Sequence, residues 1–232
     1  MRVVSLVPSI TETLLEWGVD VVACTRFCEQ PSLRHVGGTK DPDVAGIIAL
    51  APDLVVVDRE ENRRDDADAL VAAGLTLHVT QVVDVEQVPD TLALLADAVA
   101  IVAPVATDGS EEPPLDLTAF VPIWRRPTMS INAHTYGSSV LAGIGVTNVL
   151  ADHPDRYPTV ELDDVARRRP DLVLLPSEPY PFGERHRDEY AQAIPGSRVV
   201  LLDGRDLFWW GVRTPAAMRR IRAALREAST PS

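Results

Sequence analysis

Residues 49–57 read ALAPDLVVV and residues 167–175 read RRRPDLVLL. The shared Pro-Asp-Leu-Val begins at Pro52 and again at Pro170, 118 positions later, and each copy runs into a loop bearing a glutamate, Glu60 in the first and Glu178 in the second. A short apolar run between a proline and a polar loop reads as a buried strand. The same strand met twice at this separation predicts two similar lobes. Two lobes facing each other make a cleft, the usual place for a small ligand.

Around the first copy, residues 3–7 form a short apolar run ended by Pro8, and Ser9 or Thr11 would cap a helix carrying Leu14, Leu15 and Trp17 that stops at Gly18. Residues 19–24 read as the next strand, Val44, Ile47 and Ile48 recur at helical spacing, and 54–57 is the repeat strand. A helix around 67–73 closes at Gly74, and 76–80 is a further strand. Around the second copy the order is strand 119–123, a turn at Arg126-Pro127, helices near 138–142 and 162–168, and strands 172–175 and 199–202. A final helix covers 215–227, with Pro215 suited to its first turn. Strands alternating with helices imply parallel sheets with crossovers, because parallel neighbours cannot be joined by a tight turn.

Between the copies, Leu92, Leu95, Ala96, Val99, Val102 and Ala103 share one face of a helix. About 18 residues at ~1.5 Å each would span roughly 27 Å, long enough to bridge two lobes. Pro104 ends that helix, and the acidic, proline-bearing stretch 107–114 reads as a linker. The expected fold is therefore α/β: two Rossmann-like lobes with parallel sheets, joined by one long backbone helix. The N-terminal lobe is 1–84, the connecting helix and linker 85–116, and the C-terminal lobe 117–232.

Composition removes several function classes. The 232 residues carry a formal net charge of −12, which argues against a nucleic-acid partner, since that calls for a clustered basic face. The short basic runs 63–64 and 167–169 are explained as solvated helix ends. With 46% hydrophobic and 24% charged residues the chain has a globular composition, and no apolar run approaches the roughly 20 residues of a membrane helix. Met1 is followed directly by a strand-like run without a charged leader or a small-residue cleavage site, so the chain as written is expected in the cytoplasm. Cys24 and Cys28 form CxxxC, which fits neither the usual zinc spacing nor a redox pair, and they read as two buried reduced thiols. A disulfide between them would need alpha carbons within about 7 Å.

Strand-end loops are where parallel sheets bind ligands. Pro8-Ser9-Ile10-Thr11-Glu12 has no glycine fingerprint for a pyrophosphate, and in Gly37-Gly38-Thr39-Lys40 the spaced first glycine of a phosphate loop is missing. Aromatic residues are only 5% of the chain, yet Phe27, Trp124, Tyr136, Tyr180, Phe182, Phe208, Trp209 and Trp210 all fall in expected loops. A covered ring buries on the order of 150–250 Å², so a few such rings would grip a broad, flat ligand. Some of them, Phe182 and Phe208 first, are equally accounted for as local core. Gly137-Ser138-Ser139 is no nucleophile elbow, and neither cysteine has a histidine base in context, so no catalytic residues are assigned and the reading is a binder, not an enzyme. No HExxH motif or carboxylate cluster holds a metal; His134 could ligate one already inside a ligand, while His35 and His186 are placed on surfaces.

The segments RVVSLVPSITETLLEWG, TRFCEQP, VGGTKDPD, LAPDLVVVDREENRR, VPIWRRP, HTYGSSVLAGIGVTNVLAD, RYPTVELDDV and RPDLVLLPSEPYPF, in this order, resemble the helical-backbone, class III solute-binding proteins of ABC importers. That family serves cobalamin, haem and ferric siderophore uptake, and the resemblance covers nearly the whole chain. It implies a periplasmic or cell-surface monomer that captures a metal chelate or corrinoid between the lobes, holds no covalent cofactor, and delivers the ligand to an ABC permease. By this resemblance Pro8, Ser9, Phe27, Thr39 and Lys40 would line the first lobe, with Trp124, Arg125, Tyr136, Tyr180, Trp209 and Trp210 facing them. Glu60 and Glu178 would meet permease arginines, with Glu61 or Glu184 as alternatives. Arg26, Lys40, Arg125 and Arg213 sit in loops of the same cleft, where they would suit an anionic chelate or pair with nearby carboxylates. A cytosolic carrier or processing protein for a corrinoid or metal cofactor on the same scaffold is the alternative.

Overall fold

The computed structural model describes residues 1–102 and 112–229. They divide into two units. Of the described residues, the first holds Met1–Val82, 87–102 and the short return Trp210–Val212; the second holds Val83–Glu86, 112–209 and 213–229.

The first unit runs β1 (Arg2–Ser5), α1 (Pro8–Glu16), β2 (Asp20–Cys24), β3 (Arg34–His35), α2 (Val44–Leu50), β4 (Leu54–Asp58), α3 (Arg64–Ala72), β5 (Leu77–Thr80) and α4 (Val88–Ala98). Its strands lie in the order β3-β2-β1-β4-β5, every pair parallel. Val4, Leu6, Ala23, Val36, Ile47, Val55, Val57 and Leu70 form its core. All five residues of β4 are buried, which explains why this strand reads as a continuous apolar run without polar alternation.

The second unit runs β6 (Leu117–Phe120), α5 (Tyr136–Gly143), β7 (Val146–Asn148), α6 (Leu162–Arg168), β8 (Leu172–Pro176), α7 (Arg187–Ala193), β9 (Arg198–Leu202), α8 (Gly204–Phe208) and α9 (Thr214–Ser229). Its sheet is β7-β6-β8-β9, again all parallel. Phe120, Leu150, Val165, Val173, Leu175, Phe182, Tyr190 and Ile194 are its core.

The duplication is deeper than the quoted tetrapeptide. Helices α2 and α6 and strands β4 and β8 begin and end 118 positions apart, Val44 matching Leu162 and Leu54 matching Leu172. The residue closing each helix is left-handed in both copies, Ala51 at φ 44° and Arg169 at φ 50°. The tight exit that aims the chain into the buried strand is therefore repeated, although neither position is a glycine.

Three local expectations are corrected. Helix α1 starts at Pro8 behind Val7, and neither Ser9 nor Thr11 caps it; Thr11 donates back to Val7 O at 2.9 Å and Thr13 to Ser9 O at 3.1 Å. Helix α4 covers 11 residues rather than about 18, because Ala100 turns left-handed at φ 58° and Ile101 N closes back on Ala96 O at 3.0 Å. That exit precedes Pro104, which lies outside the described residues with all but the last part of the 107–114 linker. The short strands β3 and β7 were not anticipated; two or three residues carry too little pattern to read.

Candidate functional site

Since every strand pair is parallel, the loops that follow the strands leave from one edge of their own sheet. In the first unit that edge gathers the turn at Pro8 and the loops after β2, β3 and β4. Asn62 ties three of them together: its Nδ2 donates to Leu6 O at 3.2 Å and to Thr39 O at 3.0 Å, and its Oδ1 accepts from Asp58 N at 2.8 Å. Beside it, the buried Asp58 carboxylate accepts from Glu60 N at 2.8 Å and from the Thr80 hydroxyl at 2.7 Å, a contact set by the register that pairs Asp58 with Thr80. Burial pushes the Asp58 carboxyl above the ordinary carboxylate range. The Lys40 ammonium donates to Glu60 O.

The loop after β2 presents a ring. Phe27 is 51% exposed, and the Arg26 guanidinium lies over it, 4.8 Å from the centroid. Arg26 is fixed by two hydrogen bonds to Asp41, at 3.0 and 3.1 Å. Gly37 has φ +84°, and a Cβ there would fall 2.4 Å from Asp41 O, so only glycine lets the turn pass this close. Gly37 pairs with Pro42 and α2 starts only at Val44, so Gly37-Gly38-Thr39-Lys40 is a tight turn and not a phosphate loop. Pro8 and Thr39 are half-buried, Lys40 is exposed and Ser9 is buried.

In the second unit, residues 121–135 stand between β6 and α5, where the first unit has only Leu6 and Val7 between β1 and α1. Trp124 lies on this insertion, in a turn closed by Met129 N donating to Trp124 O at 3.0 Å. Its ring is 44% exposed and meets Tyr180 edge-on with centroids 5.5 Å apart; Tyr180 rests on Phe182 at 4.7 Å, and His186 and Tyr190 continue the stack. His186 is thus buried inside an aromatic cluster, not on the surface as expected, with its Nδ1 accepting from Gly183 N at 3.0 Å. Desolvation lowers its pKa. Phe182 is core. Arg125 makes a two-point pair with Glu189 on α7, Nη2 to Oε2 at 2.8 Å and Nε to Oε2 at 3.0 Å, and these bonds raise its pKa further.

The remaining expected residues are less exposed. Tyr136 is buried with its hydroxyl 2.9 Å from Thr214 Oγ1, and burial pushes it up to about 12. Trp209 is half-buried under the Arg213 guanidinium, 5.4 Å from the ring centroid. Trp210 is buried and belongs to the first unit, where Val212 N donates to Thr13 Oγ1 at 3.3 Å. Glu60 and Glu178 are half-buried, and Glu178 packs so closely on Gly204 that a Cβ there would lie 2.5 Å from its Cγ. Arg26, Lys40, Arg125 and Arg213 all have protein partners, the last beside Asp206 at 3.6 Å, so any anionic ligand competes with these contacts.

Sequence reading passed over Asn62, although position 62 is the repeat counterpart of Tyr180, a residue it did single out. It also missed Glu189, whose pairing with Arg125 joins segments 64 residues apart.

No family model matches the chain. A vitamin B12-binding protein of Yersinia pestis (strain Pestoides F) is 26% identical over 196 residues, covering 75% of this chain and 69% of that protein. Among solved structures, a periplasmic haem-binding protein from Pseudomonas aeruginosa superposes with TM-score 0.80 at 18% identity, over all of this chain and 94% of the other. The periplasmic vitamin B12-binding protein BtuF of Vibrio cholerae gives 0.77 at 19% identity, covering 99% and 98%. The chain has the fold of the class III solute-binding proteins. The relatives are named as binding proteins, and the two parallel sheets reproduce the architecture that the ordered motifs imply. Among the described residues, no three His, Cys, Asp or Glu side chains gather to hold a metal, and no helix is long and apolar enough to cross a membrane.

Proposed function

We propose that this protein is a solute-binding protein that captures a corrinoid, haem or ferric chelate and hands it to an ABC importer at the periplasmic or outer cell face. The observation that carries the reading is the placement of rings: Phe27 and Trp124, both about half-exposed, stand on strand-end loops of their respective units. An exposed large ring on a fixed loop suits a broad, partly apolar ligand. The relatives named for vitamin B12 and the neighbours named for haem support that ligand class. In this reading Pro8, Ser9, Thr39, Lys40, Arg125, Tyr136, Tyr180, Trp209 and Trp210 shape the ligand's surroundings, and Glu60 and Glu178 meet the permease.

Titrating the protein with cyanocobalamin, hemin and a ferric hydroxamate while following tryptophan fluorescence tests it. Saturable quenching by one of the three is expected, and Trp124→Ala should weaken that ligand roughly tenfold, the equivalent of about 1.4 kcal/mol. A flat response to all three refutes the proposal. A second reading, a cytosolic carrier of the same ligand class, is favoured by the free, buried thiols of Cys24 and Cys28, which suit a reducing compartment. Cell fractionation separates the two: recovery outside the cytoplasmic membrane excludes the carrier.

A further inference from the structure

Cys24 ends β2 and Cys28 lies four residues on, in the loop that carries Arg26 and Phe27. Both are free and buried. Backbone Cys28 N donates to Thr25 O at 3.1 Å, folding the loop back on the strand end. The Cys28 sulfur lies 3.2 Å from Thr11 Oγ1 and 3.2 Å from Thr25 Oγ1, and Cys24 is its neighbouring thiol. Hydroxyls and a neighbouring thiol can all donate to a thiolate, so this arrangement distinguishes the two sulfurs. Donation from the Cys24 thiol would hold Cys28 below the usual thiol range, with the two threonines adding to it, and the same interaction pushes Cys24 up. Thr11 also donates to Val7 O at 2.9 Å; having one proton, it must turn from that carbonyl to serve the sulfur.

We propose that Cys28 and Cys24 form a hydroperoxide-reactive dithiol, Cys28 the attacking thiolate and Cys24 the resolving thiol, closing to a reversible disulfide beneath the Arg26–Phe27 loop. The thiolate attacks the outer peroxide oxygen; the O–O bond breaks, the leaving oxygen departs as water or alcohol after taking up a proton, and Cys28 becomes a sulfenic acid. Cys24 then attacks that sulfur. The S–S bond forms, the S–O bond breaks, and water leaves with the Cys24 proton; a dithiol reductant returns both thiols by exchange. Closure brings the sulfurs to about 2.05 Å, which draws on residues 25–27 and so moves the Arg26–Phe27 pair.

The test is intact mass spectrometry of the folded, reduced protein treated with hydrogen peroxide and quenched with an alkylating agent. The wild type should lose two hydrogen atoms and both alkylation sites together, and dithiothreitol should restore them. Cys24→Ser should stop at a sulfenic acid that dimedone traps on Cys28, whereas Cys28→Ser should react at least about tenfold more slowly, its remaining thiol having the higher pKa. The rate should reach half its maximum below the pH of about 8.5 typical of a free thiol. Two free thiols persisting in the wild type at peroxide levels that oxidise free cysteine would overturn the proposal, and so would dimedone labelling of Cys24 in Cys28→Ser at the wild-type rate. The wild-type measurement needs no variant to fold, and none of these readouts depends on the transport reading.

Discussion

Replacing Asn62 by alanine removes one side chain and three hydrogen bonds. The amide oxygen satisfies Asp58 N at the end of β4, and the amide nitrogen satisfies Leu6 O beyond β1 and Thr39 O beyond β3. Each such bond contributes about 0.5–1.5 kcal/mol net, so the upper bound for the three is about 4.5 kcal/mol. Water can reach a part-buried site and replace some of that, which brings the expected loss for Asn62→Ala to about 2 kcal/mol. For a chain of this size each kcal/mol lowers the unfolding midpoint by roughly 2–4 °C, so a drop of about 4–8 °C should appear in a thermal melt. Hydrogen exchange localises the effect: the Asp58 amide should lose protection, while amides of β8 in the second unit should not. Asn62→Asp should cost at least as much near neutral pH, since it keeps the acceptor but aims a negative charge at two carbonyl oxygens. A loss below about 0.5 kcal/mol with unchanged Asp58 exchange would show that the loops hold their places without this tie.

Ala51→Gly should stabilise by up to about 1 kcal/mol, because relief of a left-handed alanine outweighs the extra freedom of the unfolded chain. Arg169→Gly, its repeat counterpart, should behave alike in urea titrations, and opposite signs would refute the equivalence of the two helix exits. Asp58 sets a pH dependence. Its folded pKa lies above the unfolded value of 3.8, so the folded state binds the extra proton, and the contribution of Asp58 to stability is fully present in acid and is lost as pH rises from the ordinary carboxylate range through the raised value. Asp58→Asn should flatten that decline in urea midpoints measured across the window; an unchanged slope would assign it to another group.

How much was legible depends on where the physical signal lay. Strands β4 and β8 are buried along their whole length and announce themselves as apolar runs, and the helices ahead of them share both length and exit geometry. Strands β3 and β7 stand at sheet edges, where so short a segment needs no pattern of its own. The overlong expectation for α4 came from apolar spacing that continues through Val99 and Val102, past the point where Ala100 breaks the helix. Periodicity records which residues could share a face; it does not record a left-handed alanine.

The candidate site was legible only as a set of residue types. Phe27 and Trp124 drew notice because large rings are out of place in loops, and both are among the exposed large hydrophobics. Neither belongs to the duplicated helix and strand. Trp124 rides on the insertion 121–135, which has no counterpart in the first unit, and Phe27 lies between β2 and β3, the strand that the second unit lacks. The repeat thus encodes the scaffold, and the departures from it carry the groups able to meet a ligand. Tyr136 and Trp210 carry the same ring-in-a-loop signal, yet Tyr136 opens α5 and both are buried side chains, so that signal alone does not separate a presented ring from a packed one. The same logic draws attention to Cys28, which stands in the non-repeated loop beside Phe27, where a change in its bonding would move the exposed ring.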